Sequence, residues 1–371
     1  MHRLTFFPLG NADSFRIDLE NGKKILVDFG NEGDPNDPND KRIDLAAALR
    51  QDLKNSNRTG FDVLAFTHLD NDHVCGAKDF FYLEHAKKYQ DDRRPRIGVL
   101  WVPAAALVEG NLDEEAKVIQ QEARYRLKNK KGIRVFSRPE SLKDWVEANG
   151  MNFEEVRHLF TNAGELIPEV SKQVDGVEFF VHSPFAEHAD DNSLIDRNEC
   201  SLVMQATFFV AQNPTRFVLG ADTTHDIWAG IVKQTRFHRN EDRLEWDIFK
   251  LPHHCSYLSL GPEKGEDETT PVPEVAWLFE DQGHGGSIVV STSKPIPTND
   301  DDDQPPHRQA ANYHRRNMRS KDGEFVVTME HPNESKPEPL VIEIGGAGPK
   351  VKKTSFGAAS VITSRPAPRA G

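Results

Sequence analysis

Four side chains that can bind a metal ion stand within six residues of one another in the segment FTHLDNDHVCG, residues 66–76. They are His68, Asp70, Asp72 and His73, and they directly follow the apolar run FDVLAF. A regular strand would send such side chains to alternate faces, whereas a loop at a strand end can turn them towards one point. Imidazole nitrogen and carboxylate oxygen, without cysteine, suit zinc, manganese or iron. The segment therefore predicts a metal site.

Two later segments repeat this arrangement of an apolar strand followed by candidate ligands. RFVLGAD runs into Asp222, and DIFKLPHHCS runs into the pair His253 and His254. A carboxylate can bridge two metal ions, and a histidine can complete a second site. The three segments together predict one centre that is built at strand ends.

The elements that must position these residues are strands and helices distributed along the whole chain. Strand-like runs occur in both halves, and helical patterns occur at DLAAALRQDL, at 113–131 and at 139–149. This pattern predicts an α/β sandwich, with two sheets packed together and helices outside. We predict a single domain over residues 1–344, with a helical insertion at about 104–150, and a flexible C-terminal tail over 345–371.

Composition narrows the class of protein further. The 371 residues are 37% hydrophobic and 28% charged, and no apolar run reaches the length of about 18 residues that a membrane helix needs. Three scattered cysteines and a polar N-terminus favour a cytoplasmic protein without a signal peptide. The formal net charge of −13 argues against a protein that coats duplex nucleic acid by bulk electrostatics.

The order of the motifs resembles that of the metallo-β-lactamase-fold hydrolases. Within them the chain is most similar to the soluble hydrolase domain of ComEC-like competence proteins. The matching pieces are GNADSFRIDL, KKILVDFG, FTHLDNDHVCG, NECSLVMQ, FVLGAD and DIFKLPHHCS, over about residues 4–260. The resemblance implies an αββα sandwich of two mixed sheets with outer helices. Asp70 stands where the superfamily usually has a second histidine, a change shared with the ComEC-like branch.

The resemblance also implies which residues serve two divalent metal ions, zinc or manganese. His68 and Asp70 would serve one ion, and Asp72 and His73 would serve the other. Asp222 would bridge the two ions.

Two ligand positions of this set stay open at the level of sequence. His254 would complete the second site, and His253 is the alternative, since either histidine of the pair can point inward. A further ligand is implied between the first motif and Asp222. Its candidates are His182, His188 and Asn198. Cys255 replaces the glycine of the family's usual HHGS.

A later segment of the family pattern adds a candidate catalytic residue. His307, with Ser293 and Lys294 upstream, resembles a ComEC-like segment that faces substrate, where a proton donor or a cation would act. A polar loop that caps the last helix is the structural alternative. We predict Asp72 and His307 as catalytic residues.

The predicted reaction is metal-dependent phosphodiester hydrolysis by a binuclear centre and a metal-bound hydroxide, on a nucleic acid or nucleotide substrate. Two alternatives remain. One is hydrolysis of a lactone, thioester or amide on the same fold. The other is a catalytically weak binding or regulatory module, with a protein partner or a second copy of the chain.

Overall fold

The computed structural model describes residues 1–137, 139–185 and 200–353. Within these ranges, nine strands form the first sheet in the spatial order β15-β14-β1-β2-β3-β4-β5-β6-β7. They are β1 (His2–Phe6), β2 (Phe15–Asp18), β3 (Lys24–Val27), β4 (Gly60–Ala65), β5 (Arg96–Pro103), β6 (Ile133–Phe136), β7 (Phe160–Thr161), β14 (Leu340–Gly345) and β15 (Gly348–Val351). The pairs from β3 to β7 are parallel and the others antiparallel, so the sheet is mixed.

The second sheet contains six strands of the described chain in the order β13-β12-β11-β10-β9-β8. They are β8 (Val177–Ser183), β9 (Val203–Val210), β10 (Asn213–Leu219), β11 (Trp246–Lys250), β12 (Gly283–Ser291) and β13 (Glu324–Val327). The pairs from β10 to β13 are parallel, and β8 and β9 are antiparallel additions. The C-terminal ends of the parallel strands lie at one edge of each sheet. The predicted site residues follow strands that end at these two edges.

The helices follow the strands that they cover. They are α1 (Leu45–Asn55), α2 (Asn71–Val74), α3 (Ala77–Phe80), α4 (Ala105–Val108), α5 (Glu114–Lys128), α6 (Glu140–Ala148), α7 (Phe153–Val156), α8 (Lys172–Asp175), α9 (His225–Phe237), α10 (Pro273–Ala276) and α11 (Arg308–Ser320). One-turn 3₁₀ helices lie at Lys87–Tyr89, Arg157–Leu159, Glu241–Arg243, His253–Cys255, Tyr257–Ser259 and Thr328–Glu330, and a π-helical turn lies at Trp277–Asp281. Aspartate side chains cap the N-termini of α1 and α5, as Asp44 and Asp113 accept backbone N–H groups.

Three apolar layers hold the sheets and helices together. The middle layer lies between the two sheets and contains Ile25 of β3 and Phe217 of β10. Their neighbours Leu26 and Val218 face the opposite way, into the outer layers under the helices. Strands with apolar residues on both faces are typical of sheets that are covered on both sides. The predicted α/β sandwich of two mixed sheets with outer helices is confirmed.

Two predicted segments differ in detail from the structure. The range 104–150 contains α4, α5 and α6, but it also contains β6, which pairs with β5 inside the first sheet. Residues 348–351, assigned to a tail, form β15 and pair with β14. Residues 354–371 of that tail lie outside the described residues.

Candidate metal centre

The first motif is a loop and a single helical turn at the end of β4. His68 and Asp70 lie in the loop, and Asp72 and His73 lie in α2. His68 and His73 are buried, whereas Asp70 and Asp72 are partly exposed. The turn of the chain after β4 therefore gathers four side chains that a continued strand would have separated.

The second sheet brings two further candidates to the same place. Asp222 follows β10 and His254 follows β11, and these strands are parallel neighbours with Leu219 opposite Lys250. His254 Nε2 lies 3.2 Å from Asp72 Oδ2 and 3.4 Å from Asp222 Oδ2. Strand ends from both sheets thus meet at one cluster.

Four of the predicted ligands converge on one point. Asp72, His73, Asp222 and His254 each offer a ligand atom, and these atoms lie within 4.8 Å of one another. His73 Nε2 lies 3.4 Å from Asp222 Oδ2. This spacing, in a mostly buried place, is what a single bound cation requires.

His68 and Asp70 lie beside the same Asp222 carboxylate, and the His68 ring centroid is 3.9 Å from that of His73. His68 Nε2 is 3.4 Å from Asp70 Oδ2 and 4.0 Å from Asp222 Oδ2. Asp222 Oδ2 therefore lies within 4.0 Å of the Nε2 atoms of His68, His73 and His254, and the bridging role that the family resemblance implies for Asp222 stays a prediction.

Buried polar atoms of this cluster lack hydrogen-bond partners among the described residues. They are His68 Nε2, His73 Nε2 and Asp222 Oδ1. A buried polar atom without a partner is destabilising, so such atoms in one place indicate a missing ligand. A set of imidazole nitrogens and carboxylate oxygens fits zinc or manganese. The residues present therefore fit the predicted metal ions.

The carboxylates of the cluster raise the pKa values of two of its imidazoles, those of His73 and His254. Burial lowers the pKa of His254, but the carboxylates of Asp222 and Asp72 outweigh burial and raise that pKa to about 10. The pKa of His73 rises well above its usual value for the same reason. Burial raises the pKa of Asp222, but His254 and His73 hold it well below the usual range. The carboxylates of the cluster therefore favour positive charge at this place.

Outer hydrogen bonds turn the Nε2 atoms of two histidines inward. His73 Nδ1 lies 2.9 Å from Asp28 Oδ2, and Asp28 also accepts hydrogen bonds from the backbone and hydroxyl of Thr67. His254 Nδ1 donates to the carbonyl of Thr292 at 2.9 Å. Such partners fix the orientation of metal-ligating histidines. Asp28 is absent from the predicted site residues, although it follows the apolar strand β3 as Asp222 follows β10.

His254 belongs to the group of four ligand atoms that lie within 4.8 Å of one another, and His253 is not in that group. The His253 backbone N–H donates to the Ala221 carbonyl at 3.0 Å, and its ring centroid lies 6.0 Å from that of His254. His253, His254 and Cys255 all have positive φ, at 46°, 54° and 65°. This left-handed turn explains why glycine suits position 255.

His182 is a correction to the predicted ligand set. Its neighbour Val181 faces the middle core, so strand alternation puts His182 on the opposite face of β8. There its Nε2 lies 2.9 Å from the Arg243 carbonyl, and burial lowers its pKa to about 4. It lies outside the cluster. His188 and Asn198 lie outside the described residues.

His307 lies next to the turn that carries His254. Its backbone N–H donates to the Cys255 carbonyl at 3.1 Å, and its Nδ1 accepts from the Tyr257 backbone N–H at 3.4 Å. Its Nε2 lies 3.1 Å from the Asp303 carbonyl. The structure thus places His307 against the site turn, directly before α11, with both ring nitrogens next to backbone groups.

Comparisons with known proteins add similarities at the level of structure. No protein-family model matches the sequence, and no curated protein matches it. The structure is similar to a diphosphatase of the PhnP family, at 10% identity over 92% of this chain and 98% of that chain, with a TM-score of 0.36. It is similar to unliganded yeast PDE1, at 10% identity over 88% and 97% of the chains, with a TM-score of 0.41. It is also similar to the metallo-β-lactamase GOB-18 from Elizabethkingia meningoseptica, at 12% identity over 73% and 83%, with a TM-score of 0.30.

No helix among the described residues combines the length and the apolar character that crossing a bilayer requires.

Proposed function

We propose that this chain is a metal-dependent hydrolase of the metallo-β-lactamase fold that cleaves phosphodiester bonds in a nucleic acid or a nucleotide. One observation carries the proposal. Asp222 Oδ2 lies 4.0 Å from His68 Nε2 and 3.4 Å from both His73 Nε2 and His254 Nε2. A carboxylate shared by two ligand sets fits a binuclear centre.

Each residue of the cluster has a proposed role. His68 and Asp70 would hold one ion, and His73 and His254 would hold the other together with Asp72. Asp222 would serve both. When bound, zinc or manganese at such a centre would polarise a phosphoryl oxygen and lower the pKa of water.

One lysine near the loop that contacts Asp72 supports an anionic substrate, since the neighbouring Arg42 is already paired with Asp40 and Glu32. The loop that contains Gly10 leads into Asp13, whose backbone N–H donates to the Asp72 carbonyl at 2.9 Å. A Cβ atom on Gly10 would lie 3.4 Å from Arg42 Cδ and 3.8 Å from Lys294 Cγ. Lys294 is exposed and makes no ion pair within the described ranges. We therefore infer that Lys294 contacts a substrate phosphate.

His307 is the proposed proton donor for the leaving group. It is held against the turn that carries His254, and it is buried. Release of its Nε2 from the Asp303 carbonyl would free one nitrogen for this role.

A pair of buried histidines provides a matched test of the proposal. Hydrolysis of bis-p-nitrophenyl phosphate would be measured with added zinc or manganese for the wild type, His254→Gln and His182→Gln. We expect His254→Gln to lose at least about 100-fold in rate, the scale on which removal of important active-site groups acts. His182→Gln lies outside the cluster and should retain the rate. Equal rates for His254→Gln and the wild type would contradict the proposed site. A wild type that cleaves thioester substrates but not bis-p-nitrophenyl phosphate would contradict the phosphodiester assignment.

A further inference from the structure

A buried ion pair joins the two sheets directly behind the candidate metal centre. Lys250, the last residue of β11, has its Nζ 2.5 Å from Asp13 Oδ2, and Asp13 lies between β1 and β2 of the first sheet. The exposed fractions of the two side chains are 2% and 1%. The proposed function uses neither residue, and a buried pair of this kind is costly unless its surroundings compensate for lost hydration.

Lys250 points into the sandwich because of its position on the strand. Its alternate neighbour Ile248 belongs to the middle core, whereas Phe249 faces the helices. An apolar residue at 250 would therefore continue the core. A lysine there indicates a requirement for positive charge.

Asp13 connects this charge to the candidate ligands. Its backbone N–H donates to the Asp72 carbonyl, and its carbonyl accepts from the Gly30 N–H, both at 2.9 Å. Its carboxylate lies within 4.8 Å of the Asp28 carboxylate and of a ring nitrogen of His73. A Cβ on Gly30 would overlap the Asp72 carbonyl oxygen, so these segments pack without spare room.

The pKa of Lys250 also depends on the wider cluster of carboxylates. Burial lowers its pKa, but the negative charges of Asp13, Asp222 and Asp28 outweigh burial and raise it. The Lys250 ammonium group is therefore stabilised by Asp13, in the loop of the first sheet, and by Asp222, which follows β10.

We propose that Lys250 is a built-in cation that keeps the ligands of the two sheets together before a metal ion binds. This inference rests on the proposed metal centre. Lys250 is a positioning residue, since it acts through Asp13 and the loop that contacts Asp72. Without it, the buried carboxylates would lose one of their counter-charges and would repel one another more strongly until metal ions supplied positive charge.

The test compares melting temperatures with and without zinc. Lys250→Met keeps the length of the side chain and removes its charge. In the metal-free protein we expect a decrease of about 5–10 °C, as for a broken buried ion pair. Saturating zinc should reduce this decrease to less than half, because bound zinc would supply the missing positive charge.

Lys24→Met is the matched control. Lys24 is also a buried lysine, with its Nζ 2.7 Å from Asp18 and 3.0 Å from Asp52, but it stands at the start of β3, away from the strand ends that form the site. The decrease in melting temperature caused by Lys24→Met should be the same with and without zinc. The double variant Lys250→Met/Asp13→Asn removes both charges and should recover at least half of the metal-free decrease.

The possible outcomes separate the two proposals. If wild type gains stability with zinc but Lys250→Met loses equally in both states, the pair is only a structural bridge and this inference is wrong. A double variant that fails to recover, or fails to fold when metal-free, would also overturn it. A wild type without any zinc-induced gain would overturn the metal centre and this inference together.

Discussion

At the scale of single residues, each buried histidine ligand depends on a partner that holds its far nitrogen. Asp28 does this for His73, and the Thr292 carbonyl does it for His254. A wrong tautomer or a rotated ring would turn Nε2 away from the cluster. The orientation of the ligands is therefore set outside the residues that the sequence motifs contain.

Asp28→Asn tests this orientation with little change in shape. Asp28 has a φ of 57°, a conformation that asparagine also tolerates, so the backbone should stay in place. We expect zinc affinity to fall by about 10–100-fold, measured by competition with a chromogenic chelator. Asp62→Asn is the control, because Asp62 also accepts a backbone N–H, from Lys24 in the first sheet. Equal affinities for both variants would show that Asp28 does not orient His73.

His314 gives a pH-dependent prediction away from the cluster. Burial lowers its pKa from 6.5 to about 3, so its folded form stays neutral while the unfolded form gains a proton below pH 6.5. Stability is therefore complete above pH 6.5 and falls as the pH decreases, by about 2 kcal/mol between pH 7 and 5. His314→Leu should remove that part of the loss in urea denaturation. If the stability of His314→Leu depended on pH as that of the wild type does, His314 would not be the source of this loss.

At the scale of elements, the sequence predicts the strand ends of the site well because one signal recurs at each of them. An apolar strand followed by polar ligands identifies the segments after β4, β10 and β11. His182 is predicted from the family resemblance and not from this signal, and its Nε2 lies against the Arg243 carbonyl because its side chain is on the outer face of β8. The signal does not identify Lys250 and Asp13, whose contact exists only after the two sheets have packed.

Three consecutive residues with positive φ form the turn His253–Cys255. Cys255 has a φ of 65° and is buried against the helices. Cys255→Gly should relieve the left-handed conformation and offset the lost side-chain packing, leaving stability near that of the wild type. Cys255→Val has a similar size but a branched Cβ, and it should lose about 1–3 kcal/mol in urea denaturation. If valine were as stable as glycine, the turn would not require this conformation.

At the scale of the whole molecule, the site lies where the two sheets of the sandwich meet. The first sheet supplies the loop and helical turn after β4, and the second supplies Asp222 and His254. A metal ion held by both would link the sheets, so its removal should weaken the whole fold. We expect a chelator to lower the melting temperature reversibly, since a ligand at about 100 times its dissociation constant contributes about 2.7 kcal/mol. An unchanged melting temperature in protein shown to have lost metal would contradict this link.

The most direct measurement of the central claim is the metal content of purified protein after zinc loading, for the wild type and Asp222→Asn. The proposed shared carboxylate predicts roughly two ions per wild-type chain, fewer in Asp222→Asn, and metal-dependent cleavage of bis-p-nitrophenyl phosphate only in the wild type. A wild type that retains no metal, or an Asp222→Asn variant with the same content and the same rate, would contradict the binuclear centre.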